Sequence, residues 1–118
     1  MELKFRCFCL YNREMLYSDR HYPNLEAYFG DQSSETSDYM QFTGLKDKNG
    51  VEIYAGDIVN GWNNNPSGIH IVEYVSDKYN CGFMARDVNG LGKIHVWYDG
   101  LKVIGNIYEN PELLEQSK

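Results

Sequence analysis

Apolar and polar residues alternate over the first ten positions. Leu3, Phe5, Cys7 and Cys9 share one face, and Glu2, Lys4 and Arg6 begin the other. Period-two alternation predicts a strand with one buried face, and its second face turns apolar at Phe8 and Leu10. Tyr11-Asn12-Arg13-Glu14 reads as a turn into a second strand over residues 15–18. Pro23 to Phe29 reads as a short helix, with Pro23 in its first turn, Leu25 and Phe29 four apart, and Gly30 at its end. The polar stretch 31–37 reads as a mobile surface loop. Short strands are then predicted at 39–42, 58–62, 69–75, 81–87, 93–98 and 102–108. Turn chemistry separates them: Asn49-Gly50, Tyr54 to Asp57, Asn63 to Gly68, residues 76–80, Asn89-Gly90 and Asp99-Gly100. A short helix over 112–116 follows Asn110-Pro111. Five strands between 57 and 108, about ten residues apart, are the pattern of a small barrel or sandwich. The organisation expected is an N-terminal β-rich segment with a short helix, residues 1–52, then a barrel with a C-terminal helix, residues 53–118.

Composition agrees with strands. The 118 residues include three Ala (Ala27, Ala55, Ala85) against eleven Gly and eleven Asn. A helix-rich chain shows the opposite balance. Aromatic residues make up 14% of the chain, which argues against disorder. A net charge of −6 disfavours a general nucleic-acid binder, which must neutralise phosphates. No apolar stretch reaches the length of a signal-peptide core or a membrane span, so a cytoplasmic protein with no membrane partner is expected. Three cysteines, two of them one residue apart, fit reduced thiols better than a disulfide framework.

The segment Gln41-Phe42-Thr43-Gly44-Leu45-Lys46-Asp47-Lys48-Asn49-Gly50-Val51-Glu52-Ile53-Tyr54-Ala55-Gly56-Asp57-Ile58-Val59 resembles the most recognisable segment of the YopX family of phage and prophage proteins. The end of the chain, Val103-Ile104-Gly105-Asn106-Ile107-Tyr108-Glu109-Asn110-Pro111-Glu112-Leu113-Leu114, resembles that family's C-terminal signature. Lys4-Phe5-Arg6 also matches. Where the family continues with an apolar residue, Trp and Asp, this chain has Cys7, Phe8 and Cys9, so no role passes to those positions. The resemblance implies a mainly β fold with a small, partly open SH3-like barrel in the C-terminal half, packed with the N-terminal segment and two short helices. It also implies a phage accessory protein acting in a host cell. The family brings no established reaction, hence no catalytic residue.

The residues offer little chemistry of their own. Cys7, Cys9 and Cys81 with His95 lack zinc-site spacing and read as three core thiols. Asp47, Asp57, Asp87 and Asp99 sit at turns, where Asp bonds its own backbone. No glycine pair precedes a helix, so no phosphate-cradling loop is present. Aromatics are in surplus: Trp62, Tyr74, Tyr79, Trp97, Tyr98 and Tyr108 fall within the expected barrel. Beside them, Arg86, Lys93 and His95 form a face that can stack a flat ring or grip a partner. Arg86 is the leading anion contact. Arg86, Lys93, His95, Trp97 and Trp62 are therefore the expected ligand- or partner-binding residues. No catalytic residue, metal or cofactor is expected.

The function expected is a non-catalytic accessory binding protein. It would occupy a host protein or sequester a nucleotide-like signal, as in counter-defence, and would be a homo-oligomer because small barrels expose strand edges. The alternatives are a nucleic-acid-binding accessory protein and a metal-dependent nucleotide hydrolase using Asp87 and Asp99.

Overall fold

A computed structural model describes residues 3–20, 22–31, 35–61, 68–76, 78, 81–90, 92–96 and 100–116. The chain forms two compact units, Met1–Phe42 and Thr43–Lys118. The sequence places the division after residue 52. Residues 43–52 hold hydrogen bonds within the second unit: the Thr43 hydroxyl donates to the Ile53 carbonyl at 2.8 Å.

In the first unit, β1 (Phe5–Cys9) pairs antiparallel with β2 (Glu14–Tyr17), with Cys7 opposite Leu16. On its other side β1 meets the start of β3 (Met40–Lys46), with Arg6 opposite Met40. The turn between β1 and β2 holds Arg13 at φ 60°, and the Arg13 N–H donates to the Cys9 carbonyl at 2.8 Å. The expected one-sided burial of β1 does not hold. Arg6 and Phe8 are buried along with Cys7, and Leu3 is exposed. With strands on both its edges, β1 is a central strand, and both of its faces are covered here.

Helix α1 (Leu25–Gly30) is capped by Asn24, whose side-chain oxygen accepts from the Ala27 N–H at 2.8 Å. Its buried residue is Tyr28, whereas Phe29 remains at the surface, so the Leu25–Phe29 face is not the one that packs inward. Residues 35–37 are not a loose loop. They run beside β1, with Leu10 N–H donating to Glu35 O and Ser37 N–H to Phe8 O, both at 2.8 Å.

The second unit is a five-stranded antiparallel sheet in the order β8-β7-β6-β5-β9, preceded by β4 (Glu52–Tyr54), which pairs with β3. Its strands are β5 (Asp57–Asn60), β6 (Ile69–Ser76), β7 (Cys81–Asp87), β8 (Lys93–His95) and β9 (Lys102–Asn106). Consecutive strands pair from β5 to β8, and β9 returns to the far edge of β5. The sheet is mainly β as expected and curves as a half barrel. Helix α2 (Glu112–Gln116) ends the described chain.

Alternation builds the core. Val72 and Ala85 are register partners facing inward, and they cluster with Ile53, Val59, Val96 and Leu101. Each is under about a tenth exposed, and Phe83, Ile94 and Val103 pack around them. Truncating a side chain as enclosed as Ile53 to Ala costs about 2–5 kcal/mol.

The turns explain the two long sequence motifs. Asp47 is buried at the end of β3, and its Oδ1 accepts the N–H groups of Asn49 and Val51 at 2.8 and 2.9 Å. Its Oδ2 accepts the Val103 N–H of β9 at 2.8 Å. Gly50 completes this turn at φ 83°. Asp57 accepts the Tyr54 N–H at 2.7 Å and fixes the Tyr54–Asp57 turn. In the C-terminal motif, Asn106 Oδ1 accepts the Tyr108 and Glu109 N–H groups, and Asn110 Oδ1 accepts the Asn106 N–H. Gly105 is needed there because a Cβ would lie 2.6 Å from Asn110 Oδ1 and 2.8 Å from its Cβ.

Candidate functional site

Of the face expected from the sequence, the described residues give the strand positions of Arg86, Lys93 and His95. Arg86 lies on β7 opposite Ile71 of β6 and Lys93 of β8, and His95 lies opposite Met84. These register positions bring Arg86, Lys93 and His95 onto adjoining positions of two paired strands. The Arg86 Nε–H donates to the Glu73 carboxylate at 3.1 Å, with both side chains partly exposed. Such a surface pair contributes little to stability. Trp62 and Trp97 lie outside the described residues, as do Tyr79, Tyr98 and Asp99 and the side chains of Lys93 and His95. Of the remaining barrel aromatics, Tyr74 is exposed and packs edge-to-face on Phe83 at 5.4 Å, and Tyr108 is half-buried.

Among the described residues, the turn aspartates and His70 have structural partners. Besides Asp47 and Asp57, Asp87 accepts the Asn89 N–H at 2.6 Å. Buried His70 has Nδ1 2.8 Å from the Gly68 carbonyl oxygen, to which it donates, and Nε2 3.9 Å from Asp87. No group of three or more His, Cys, Asp or Glu that could hold a metal occurs among the described residues. The three cysteines are not all core thiols. Cys7 is buried, Cys9 half-buried and Cys81 exposed. Cys81 begins β7 opposite Ser76, the last residue of β6. Burial pushes the Cys7 thiol above its ordinary pKa, so it is a poor nucleophile.

A site that the sequence did not single out lies in the first unit. Met15, Leu16, Tyr17, Arg20 and Tyr22 line a pocket of about 240 Å³. Strand β2 is the outermost strand of its sheet and forms one wall. The chain then turns, with the Arg20 N–H donating to the Tyr17 carbonyl at 3.2 Å. This turn lays the Arg20 guanidinium over the Tyr17 ring, 4.0 Å from its centroid. Tyr22 is held at both ends. Its hydroxyl donates to Asp31 at 3.1 Å, and its ring packs edge-to-face on Tyr28 at 5.1 Å. Tyr28 in turn donates its hydroxyl proton to the Leu16 carbonyl at 2.9 Å, with Cys7 Sγ 3.2 Å away. Burial, with the Cys7 contact adding to it, raises the Tyr28 pKa well above the ordinary tyrosine value.

The same unit carries an aromatic cluster. Phe29 and Tyr39 pack edge-to-face at 4.7 Å, each also against Tyr28, and Phe5 joins through Phe29 at 5.3 Å. Phe29 is 38% and Tyr39 43% exposed, so the cluster reaches the surface. The sequence signal for the pocket was Tyr17, Arg20 and Tyr22 just after a strand. No linear spacing marks it as a site, because the contact depends on the turn that folds Arg20 back over Tyr17.

A half-barrel sheet with a two-motif turn framework and a β-hairpin unit before it defines a class of small, mainly β proteins. Residues 4–115 match the family model described as YopX protein, and the chain belongs to the YopX family. It is also similar to a solved structure, the crystal structure of protein EF1440 from Enterococcus faecalis. That similarity is 29% identity with a TM-score of 0.59, covering 97% of this chain and 99% of that one. No protein of curated function matches the chain. No helix among the described residues is long and apolar enough to cross a membrane.

Proposed function

We propose that this chain is a non-catalytic binding protein of phage or prophage origin that works in the cytoplasm of the host cell. Its role is to hold a nucleotide-like small molecule, as a counter-defence sponge does. The observation that carries this reading is the Arg20 guanidinium stacked at 4.0 Å on Tyr17 beside a pocket of about 240 Å³. Stacked cation and ring are groups that recognise flat, charged molecules.

A second reading, occupation of a host protein, is favoured by the exposed Phe29–Tyr39 pair, since aromatic residues are enriched in protein interfaces. Assembly into a homo-oligomer fits the end strands β2 and β8. Nucleic-acid binding is disfavoured by the charge of −6.

The test is purification of the full chain from a bacterial host, followed by native and denaturing mass spectrometry and a pull-down from host lysate. A small molecule released on denaturation supports the first reading, and a stoichiometric protein partner the second. Neither one appearing, or turnover of nucleotides with divalent ions, overturns the proposal.

A further inference from the structure

The pocket of the first unit has a chemistry that narrows its ligand. Arg20 is exposed, and its guanidinium carbon lies over the Tyr17 ring. The N–H groups of the planar guanidinium fork match the two oxygens of a carboxylate or phosphate. Two carboxylates of this unit have other partners. Asp19 faces Lys4 at 3.8 Å, and Asp31 accepts from the Tyr22 hydroxyl. None of the ion pairs among the described residues includes Arg20. The other lining residues, Met15, Leu16 and Tyr22, are apolar or aromatic, as a site for a flat ring requires. The Tyr22 ring is fixed by Tyr28 and Asp31, so this wall is set before a ligand arrives. At about 240 Å³ the pocket falls below the ~300–1,000 Å³ typical of drug-sized sites, so it has room for one planar ring system, single or fused, and not for two.

Resting on the binding role proposed above, we infer that this pocket takes a single planar ring system, single or fused, in a molecule that also bears a phosphate or carboxylate. The ring lies against Tyr22, Met15 and Leu16, and the acid group pairs with Arg20. Two sources share this chemistry, a mononucleotide and an aromatic acid.

Titration calorimetry of the full chain tests it with adenosine 5′-monophosphate, phenyl phosphate, benzoate, adenosine and inorganic phosphate. At least one ring-bearing anion binds with Kd below about 1 mM, and adenosine and inorganic phosphate bind at least about tenfold more weakly. Arg20→Gln, at an exposed position, leaves thermal unfolding unchanged and weakens that anion by about tenfold or more. Raising the salt concentration weakens it as well. Arg86→Gln, in the other unit, has no effect. Binding of the nucleotide alone assigns the site to mononucleotides, and binding of phenyl phosphate or benzoate alone assigns it to aromatic acids. The inference is overturned if no ring-bearing anion binds below about 1 mM, or if Arg20→Gln binds it as the parent does. If a ligand or partner still co-purifies in that case, the binding role stands and only this ligand class falls. If none does, both fall.

Discussion

The carboxylate of Asp47 joins the turn after β3 to strand β9, residues 56 apart in sequence, and its removal is the most direct test of the family motif. It accepts three backbone N–H groups at 2.8, 2.9 and 2.8 Å and is only 8% exposed. A hydrogen bond to a charged group contributes about 1.5–3 kcal/mol. Two of the three donors, Asn49 and Val51, belong to exposed residues, where water replaces the lost acceptor. The Val103 N–H belongs to a strand and is the costlier one to leave unmade. Asp47→Ala should therefore destabilise the chain by about 3 kcal/mol, a large part of the ~5–15 kcal/mol of a typical domain. Asp47→Asn separates the contributions. It keeps an oxygen for Asn49 and Val51 but can turn an NH2 group towards the Val103 donor, and should lose about 2 kcal/mol. Urea unfolding gives the totals, and amide hydrogen exchange shows the Val103 N–H losing protection in both variants. If both variants unfold within about 0.5 kcal/mol of the parent, the clamp is not what holds this turn to β9.

Other consequences follow from the same geometry. Gly105→Ala drives a Cβ to within 2.8 Å of the Asn110 Cβ, which a rotation of that side chain does not relieve, so calorimetry should show a loss of about 1–3 kcal/mol. Under native conditions, thiol alkylation followed by mass spectrometry should modify Cys81 first and Cys7 only on unfolding, because Cys7 is buried and its pKa is raised by that burial. The Cys7 and Tyr28 values are both raised, from ordinary values of 9.0 and 10.0. Above pH 9 the unfolded chain therefore releases protons that the folded chain keeps. Their contribution is fully present below pH 9 and is lost as pH rises through the folded values, a slope that urea unfolding of Tyr28→Phe should show reduced.

Much of the fold was legible because local chemistry decided it. Asn49-Gly50 and Asn89-Gly90 fixed turns, and the limits of β7 and α2 fall where the pattern put them. Two-sided burial of β1 was not legible, since alternation reports one apolar face and cannot tell that neighbours cover the other, charged Arg6 included. Helix α1 starts two residues after the expected Pro23, because Asn24 is its N-cap, and at six residues its i, i+4 pair is too short a stripe to show that Tyr28 faces inward. The aspartates were read correctly as turn residues at 47, 57 and 87, yet the reach of Asp47 to Val103 depends on the return of β9. The Arg86–Glu73 pair arises from a diagonal across the β6–β7 register, which no linear spacing reveals. The Arg20 pocket was missed because it needs a turn that folds Arg20 back over Tyr17.

The return of β9 to β5 also sets the order in which the second unit assembles. β6 and β7 are a local hairpin with Ser76 paired to Cys81, whereas Asp57 must find Asn106. Closing the longer loop carries the larger entropy penalty, so the hairpin forms early and β9 docks after it. The Asp47–Val103 clamp is then absent from the folding transition state. In stopped-flow kinetics, Asp47→Asn, which keeps the local acceptor for Asn49 and Val51 and loses the Val103 bond, should accelerate unfolding while leaving the folding rate almost unchanged. The turn motif thus acts as a latch on lifetime: it governs how long the folded sheet persists, not how fast it is reached.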